Sequence, residues 1–153
     1  MISQNNRHHF KSLIIFALLG ASLSTLAVEQ AGTIKTLQGR VEISRGGEIF
    51  PAEVGSPVSL GDVVSTGNSS FAGITMLDNT RMTAGPNTRI TIEKFSFNTT
   101  THEGELSTDV QRGTLSVISG QIAKTRPDAV KFSAGELNLG VRGTEFIIEA
   151  AGE

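Results

Sequence analysis

Apolar and polar residues alternate through much of this chain with a period of two. Val41 and Ile43 interleave with Arg40, Glu42 and Ser44, the rhythm of a strand with one buried face. Gly46-Gly47 then offers a tight turn into Glu48-Ile49-Phe50, because glycine accepts the positive φ that two-residue hairpin turns require. Further strands are predicted over 58–66, 71–77, 80–84, 88–97, 106–111, 114–118, 130–134, 137–141 and 145–149. Gly67-Asn68, Asp78-Asn79 and Gly85-Pro86-Asn87 punctuate the earlier ones. Within 88–97, Ile90 and Ile92 share one parity while Phe95 and Phe97 fall on the other. That change of phase predicts a bulge or sheet crossing near Lys94. Leu137, Leu139 and Val141 read as the inward positions of a buried closing strand.

No segment after residue 27 keeps a 3.6-residue apolar rhythm over three turns, so no helix is expected there. The polar run 98–104 reads as a loop, and 119–128, with Arg126-Pro127-Asp128, as a second exposed connection. Turn signals recur every ~8–12 residues, as in sandwiches and barrels. The expected fold is all-β: a two-sheet sandwich or roll, with β-helix-like coiling as its variant.

The first 27 residues have a different character. Arg7, His8, His9 and Lys11 make a cationic start, and the stretch from Ser12 to Val28 carries no charge. Its apolar core, Leu13 to Leu19, gives way to small and polar residues, with Thr25 and Ala27 at the −3 and −1 positions of a cleavage site. This is the layout of a secretory signal peptide. The alternative is an uncleaved anchor helix, but the apolar part is shorter than the ~20 residues that span a bilayer. The expected organisation is a signal peptide over 1–27, a helix in the targeting step, and one β domain over 28–153. With no cysteine in the chain, a lipid anchor is excluded, and stability must come from sheet packing.

Removing residues 1–27 takes two of the 13 Lys and Arg and none of the 15 Asp and Glu, leaving a net charge of −4. A mildly acidic chain with scattered cations argues against nucleic acid and against an anionic membrane surface as partners. Any membrane contact would then run through the signal peptide alone, were it uncleaved.

Candidate chemistry is sparse, and no cofactor is expected. His102, the only histidine past the leader, sits in a polar loop and reads as a surface residue rather than the base that nucleophilic catalysis would need. Asp78-Asn79 reads as a hairpin turn rather than a calcium ligand pair. Glu93, Asp109 and Glu136 would have to meet in space to form a glycosidase pair, and the chain has no Trp or Tyr to stack on a sugar. Arg81, Thr83, Arg89 and Thr91 read as one outward face of neighbouring strands, a solvated surface or a docking one. Arg142, held between two glycines inside the closing strand pair, reads either as a structural clamp donating several hydrogen bonds or as a contact for a partner's carboxylate.

Several short motifs occur in an order that resembles the FecR domain family. They are Gly39-Arg40-Val41, the turn Gly61-Asp62-Val63-Val64-Ser65-Thr66, the hairpin around Asp78, Gly113-Thr114-Leu115, and Val141-Arg142-Gly143-Thr144-Glu145-Phe146. The resemblance singles out Gly61, Asp62, Thr66, Asp78, Gly113, Arg142, Gly143 and Thr144 as structural or contact residues. It implies a non-enzymatic periplasmic domain of a Gram-negative cell, working through an envelope or outer-membrane protein partner. Its best-known members relay receptor occupancy from a TonB-dependent receptor to a sigma factor. With 11 residues ahead of the apolar stretch, a sigma-binding segment is not expected, and a free-standing interaction or scaffold module is. The runner-up is a module that binds peptidoglycan or another envelope glycan; a carbohydrate-active β-protein stands third.

Overall fold

Strands dominate the computed structural model, which describes residues 28–141 and 144–152. In chain order they are β1 (Gln30–Gln38), β2 (Val41–Arg45), β3 (Glu48–Pro51), β4 (Pro57–Ser59), β5 (Val63–Thr66), β6 (Phe71–Met76), β7 (Arg81–Ala84), β8 (Arg89–Phe97) and β9 (Gly104–Ile118). A short helix, α1 (Gln121–Thr125), precedes β10 (Val130–Ala134), β11 (Leu137–Gly140) and β12 (Glu145–Ala150). All the strands belong to one hydrogen-bonded sheet. Among the described residues every pairing is antiparallel except that of β10 with β9.

The path of the sheet explains its curl. β1 lies against β6 as far as Gln38 opposite Phe71. Just beyond, β2 lies against β5, with Val41 opposite Thr66. In the same way β7 lines the last part of β9, Ala84 opposite Leu115, and β8 lines the first part, Arg89 opposite Arg112. Four long strands (β1–β2, β6–β5, β7–β8 and β9) thus bend at a common line and turn the sheet into an antiparallel half-barrel. Each bend contains a glycine: Gly39, Gly67, Gly85 and Gly113. A bent strand must break its ladder locally, and glycine lets the neighbouring backbone come close.

The concave side holds one core. Ile34, Ile74, Met82, Leu115 and Val117 face it from one half, and Ile43, Val64, Ile90, Ile92, Leu106, Val110 and Phe132 from the other, all essentially without exposure. Full burial of such side chains stabilises by about 1.5–3 kcal/mol each. Phe132 meets Phe146 edge-on at 5.3 Å, a favoured aromatic geometry. The phase change near Lys94 is present: the β8–β9 register slips between Ile92 and Lys94, and Phe95 turns into the core. Gly46-Gly47, both at positive φ, forms the β2–β3 hairpin.

Four expectations are corrected. The domain is not helix-free. Residues 119–128 contain α1, whose Ile122 is fully buried beside Gly104. Five residues are too short for a 3.6-residue period to register, so packing rather than sequence rhythm makes this helix. β1 escaped notice because Ala31 and Ile34, its most buried apolar residues, are not in strict alternation; its ladder slips between Ile34 and Thr36. Segments 106–111 and 114–118 are one continuous strand, while 58–66 is two strands broken by the turn at Gly61. Finally, Leu137 and Leu139 point to solvent, at 67% and 40% exposure, and only Val141 of that trio is buried. The expected signal segment, 1–27, lies outside the described residues.

Candidate functional site

Three polar locks hold the curled sheet, and they absorb most of the residues singled out by the sequence. The first is at the β4–β5 turn. Gly61 adopts φ +82° and donates its N–H to the Ile92 carbonyl at 2.7 Å. The Asp62 side chain is wholly buried and grips Arg45 of β2 with both oxygens, Nε to Oδ1 at 2.8 Å and Nη2 to Oδ2 at 2.7 Å. Its Oδ2 also accepts the Ser59 N–H at 2.7 Å. Donating its hydrogen bonds to the Asp62 carboxylate holds the Arg45 guanidinium above its ordinary pKa; partial burial opposes this and the carboxylate's charge reinforces it. Arg45 further reaches the Pro57 carbonyl and lies over the Phe50 ring, 5.5 Å from its centroid. An arginine clamp therefore exists in this fold, built by Arg45. The sequence argument placed one at Arg142, and both Arg142 and Gly143 lie outside the described residues.

The second lock runs along the bend. The Thr66 hydroxyl donates to the Gly85 carbonyl at 2.6 Å and accepts the Thr88 N–H at 2.9 Å. The Thr88 hydroxyl in turn donates to the Thr114 carbonyl at 3.1 Å and accepts the Thr114 N–H at 3.0 Å. Ser70 accepts the Arg40 N–H at 2.8 Å. Side-chain hydroxyls thus replace the ladder bonds lost where the strands turn. Two glycines make room for them: a Cβ on Gly39 would strike the Ser70 hydroxyl, and one on Gly113 the Thr88 hydroxyl. Sequence reasoning singles out Thr66 and Gly113 but not Ser70 and Thr88, whose bend partners lie 22 to 30 residues away.

The third lock joins the β6–β7 hairpin to α1. The buried Asp78 carboxylate accepts the Thr80 N–H at 3.0 Å and the Thr80 hydroxyl at 2.8 Å. Its main-chain carbonyl accepts the Gln121 N–H at 2.8 Å. Thr80 also accepts the Gly120 N–H at 3.1 Å. Asn79 takes the left-handed turn position at φ +67°. Asp78 is thus a hairpin residue, as read, with the added task of anchoring the helix. Thr144 is exposed, and its carbonyl accepts the Ser119 N–H at 2.8 Å.

The groups weighed for chemistry are scattered. His102 lies in the 98–103 loop, stacked on Phe97 at 6.1 Å. Glu93 accepts a hydrogen bond from Ser107, and Asp109 one from Ser133. Asp109 and Glu136 do line the same depression, beside Glu149. Among the described residues no three His, Cys, Asp or Glu side chains are grouped to hold a metal ion. No helix among them is long and apolar enough to cross a membrane. Arg81 and Thr83 do not lie on a strand neighbouring that of Arg89 and Thr91: β7 and β8 follow each other along β9, on opposite sides of the bend.

What remains is surface. Among the described residues β11 pairs with β10 alone and β12 with β9 alone. Leu137 and Leu139 of β11 and Ile147 of β12 are exposed. An apolar depression of about 230 Å³ lies between them, lined by Leu139, Gly140, Val141, Phe146 and Ile147. Of the closing strands expected to be buried, Val141 and Ile148 face the core, while Leu137, Leu139 and Ile147 lie on the exterior.

The sequence model of the FecR protein family matches residues 62–153, more than half of the chain, and the chain belongs to that family. The match begins at Asp62 and takes in β5 to β12, together with Thr66, Asp78 and Gly113. Gly39-Arg40-Val41 and Gly61 precede it, although β1 and β2 are built into the same sheet. No curated protein and no solved structure matches the chain.

Proposed function

We propose that this FecR-family chain is an exported, non-enzymatic contact module of the cell envelope, docking a periplasmic or outer-membrane protein. The observation that carries the reading is the apolar exterior of β11 and β12. Edge strands offer unpaired backbone groups to another chain, and exposed Leu137, Leu139 and Ile147 add apolar area where a partner would lie. FecR membership supports a role in envelope signalling, and the cationic start with its short apolar core supports export to the periplasm of a Gram-negative cell.

The test joins localisation to capture. N-terminal sequencing of protein recovered from the periplasmic fraction is expected to begin at or near Val28; intact Met1 in a membrane pellet would replace export with anchoring. The recovered domain, immobilised, is expected to retain an outer-membrane protein from envelope extract. Leu139→Lys together with Ile147→Lys should abolish that capture with an unchanged melting midpoint, because both side chains are already solvated. Retention on purified cell wall, with no protein captured, would transfer the function to the glycan-binding alternative.

A further inference from the structure

We propose that a second surface, on the convex face of the half-sheet made by β2, β5, β8 and the start of β9, binds an acidic peptide segment of another protein. Glu42, Ser65, Arg89 and Arg112 stand directly opposite one another on these four adjacent strands. Arg40, two residues before Glu42, immediately precedes β2. These residues border a depression of about 390 Å³ that holds three arginines and one acidic residue, Glu42. The chain beyond residue 27 is acidic overall, so this gathering of cations runs against its background.

Arg89 opposite Arg112 is the informative pair. Like charges directly across two strands destabilise a sheet, and an anion seated between them removes that repulsion. The Arg89 Nε donates to the Gln111 side-chain carbonyl at 2.7 Å, while Gln111 donates to the Thr91 hydroxyl at 3.3 Å. The Arg89 fork is thereby held in place with its terminal nitrogens unengaged among the described residues. The Arg112 guanidinium has no ion-pair or hydrogen-bond partner among them. Arg40 is 80% exposed and its one acidic neighbour is Glu42, at 2.7 Å.

Guanidinium forks take carboxylates two-handed, and the spacing suits a peptide. Neighbouring strands are about 5 Å apart and alternate side chains of an extended peptide about 7 Å apart, so carboxylates along it can reach Arg40, Arg89 and Arg112. Ile49 of the edge strand β3 borders the same depression at 68% exposure, a contact for an apolar residue between the acids. No aromatic ring lines the depression to stack on a sugar. Glu42 competes with the incoming carboxylates for Arg40.

The test uses a fluorescent hexaglutamate and anisotropy at low salt, with the domain from residue 28 as exported. Binding is expected, weakening as salt rises. Arg112→Ala should weaken it about tenfold and Glu42→Gln should tighten it severalfold, both at unchanged melting midpoints. Arg81→Ala removes the same charge from the other half-sheet and should change binding less than twofold. Arg89→Lys, which keeps charge but loses the fork, should weaken it. The double Leu139→Lys, Ile147→Lys variant should bind normally, which separates this surface from the edge-strand contact. Equal losses from Arg81→Ala and Arg112→Ala would reduce the effect to net charge and overturn the proposal. So would tighter binding of inositol hexaphosphate than of hexaglutamate through the same arginines, which would assign the face to phosphate ligands.

Discussion

Replacing Gly113 with alanine is expected to destabilise the domain by about 3 kcal/mol, although it adds one methyl group. Two causes act together. Gly113 sits at φ +85°, a conformation that costs a residue with a Cβ roughly 1–2 kcal/mol. The new Cβ would also strike the Thr88 hydroxyl and its Cα and crowd the Asn87 carbonyl. That hydroxyl both donates to and accepts from the Thr114 main chain, and displacing it leaves groups at the bend without partners, at about 1–3 kcal/mol. Two further variants apportion the loss. Gly46→Ala meets the same backbone restriction at φ +58° with nothing near its Cβ, so it should cost only the conformational part. Thr88→Val removes the hydroxyl and leaves the backbone alone. If urea melts show Gly113→Ala no worse than Gly46→Ala, the hydroxyl stitching along the bend contributes nothing.

This bend also marks where the sequence was legible and where it was not. Period-two alternation located most strands, and even the slip at Lys94 was visible, because Phe95 changed parity within six residues. Such signals are local. The curl is not local: Gly39, Gly67, Gly85 and Gly113 each read as an ordinary turn or strand glycine, and only the register aligns them in one line. Gly113 split β9 into two apparent strands for the same reason. Arg45 was passed over as a clamp because nothing near it in sequence announces Asp62, 17 residues on. Asp62 itself was noticed only as part of a motif. The reverse holds at Leu137 and Leu139, where alternating apolar residues predict an inward face and the structure exposes both. Alternation fixes which residues share a face; it does not say whether that face meets the core. The same limit hid the Arg89–Arg112 juxtaposition, which exists only through pairing of β8 with β9.

Asp62→Ala is expected to cost about 3 kcal/mol or more, the low end of the ~3–5 kcal/mol typical for breaking a buried ion pair. The low end applies because the Arg45 side chain keeps 31% exposure while Asp62 has none, so the abandoned guanidinium recovers some water. The Ser59 N–H, buried at the same turn, loses its acceptor as well. Asp62→Asn should cost less, about 1–2 kcal/mol, since an amide oxygen can still accept from Ser59 or from Arg45 but not hold the full fork. Arg45→Lys should fall between wild type and Asp62→Ala, because an ammonium cannot engage both oxygens in the plane. The pH dependence has a definite sign. Asp62 raises the Arg45 pKa in the folded state, so the stability this guanidinium contributes is complete below its unfolded-state value and declines only as pH rises through the folded one. That window lies in strong base, and melts between pH 6 and about pH 9 should show no loss attributable to Arg45. Urea denaturation of the three variants decides the rest. If Asp62→Ala and wild type unfold at the same midpoint, the Arg45–Asp62 pair is no clamp.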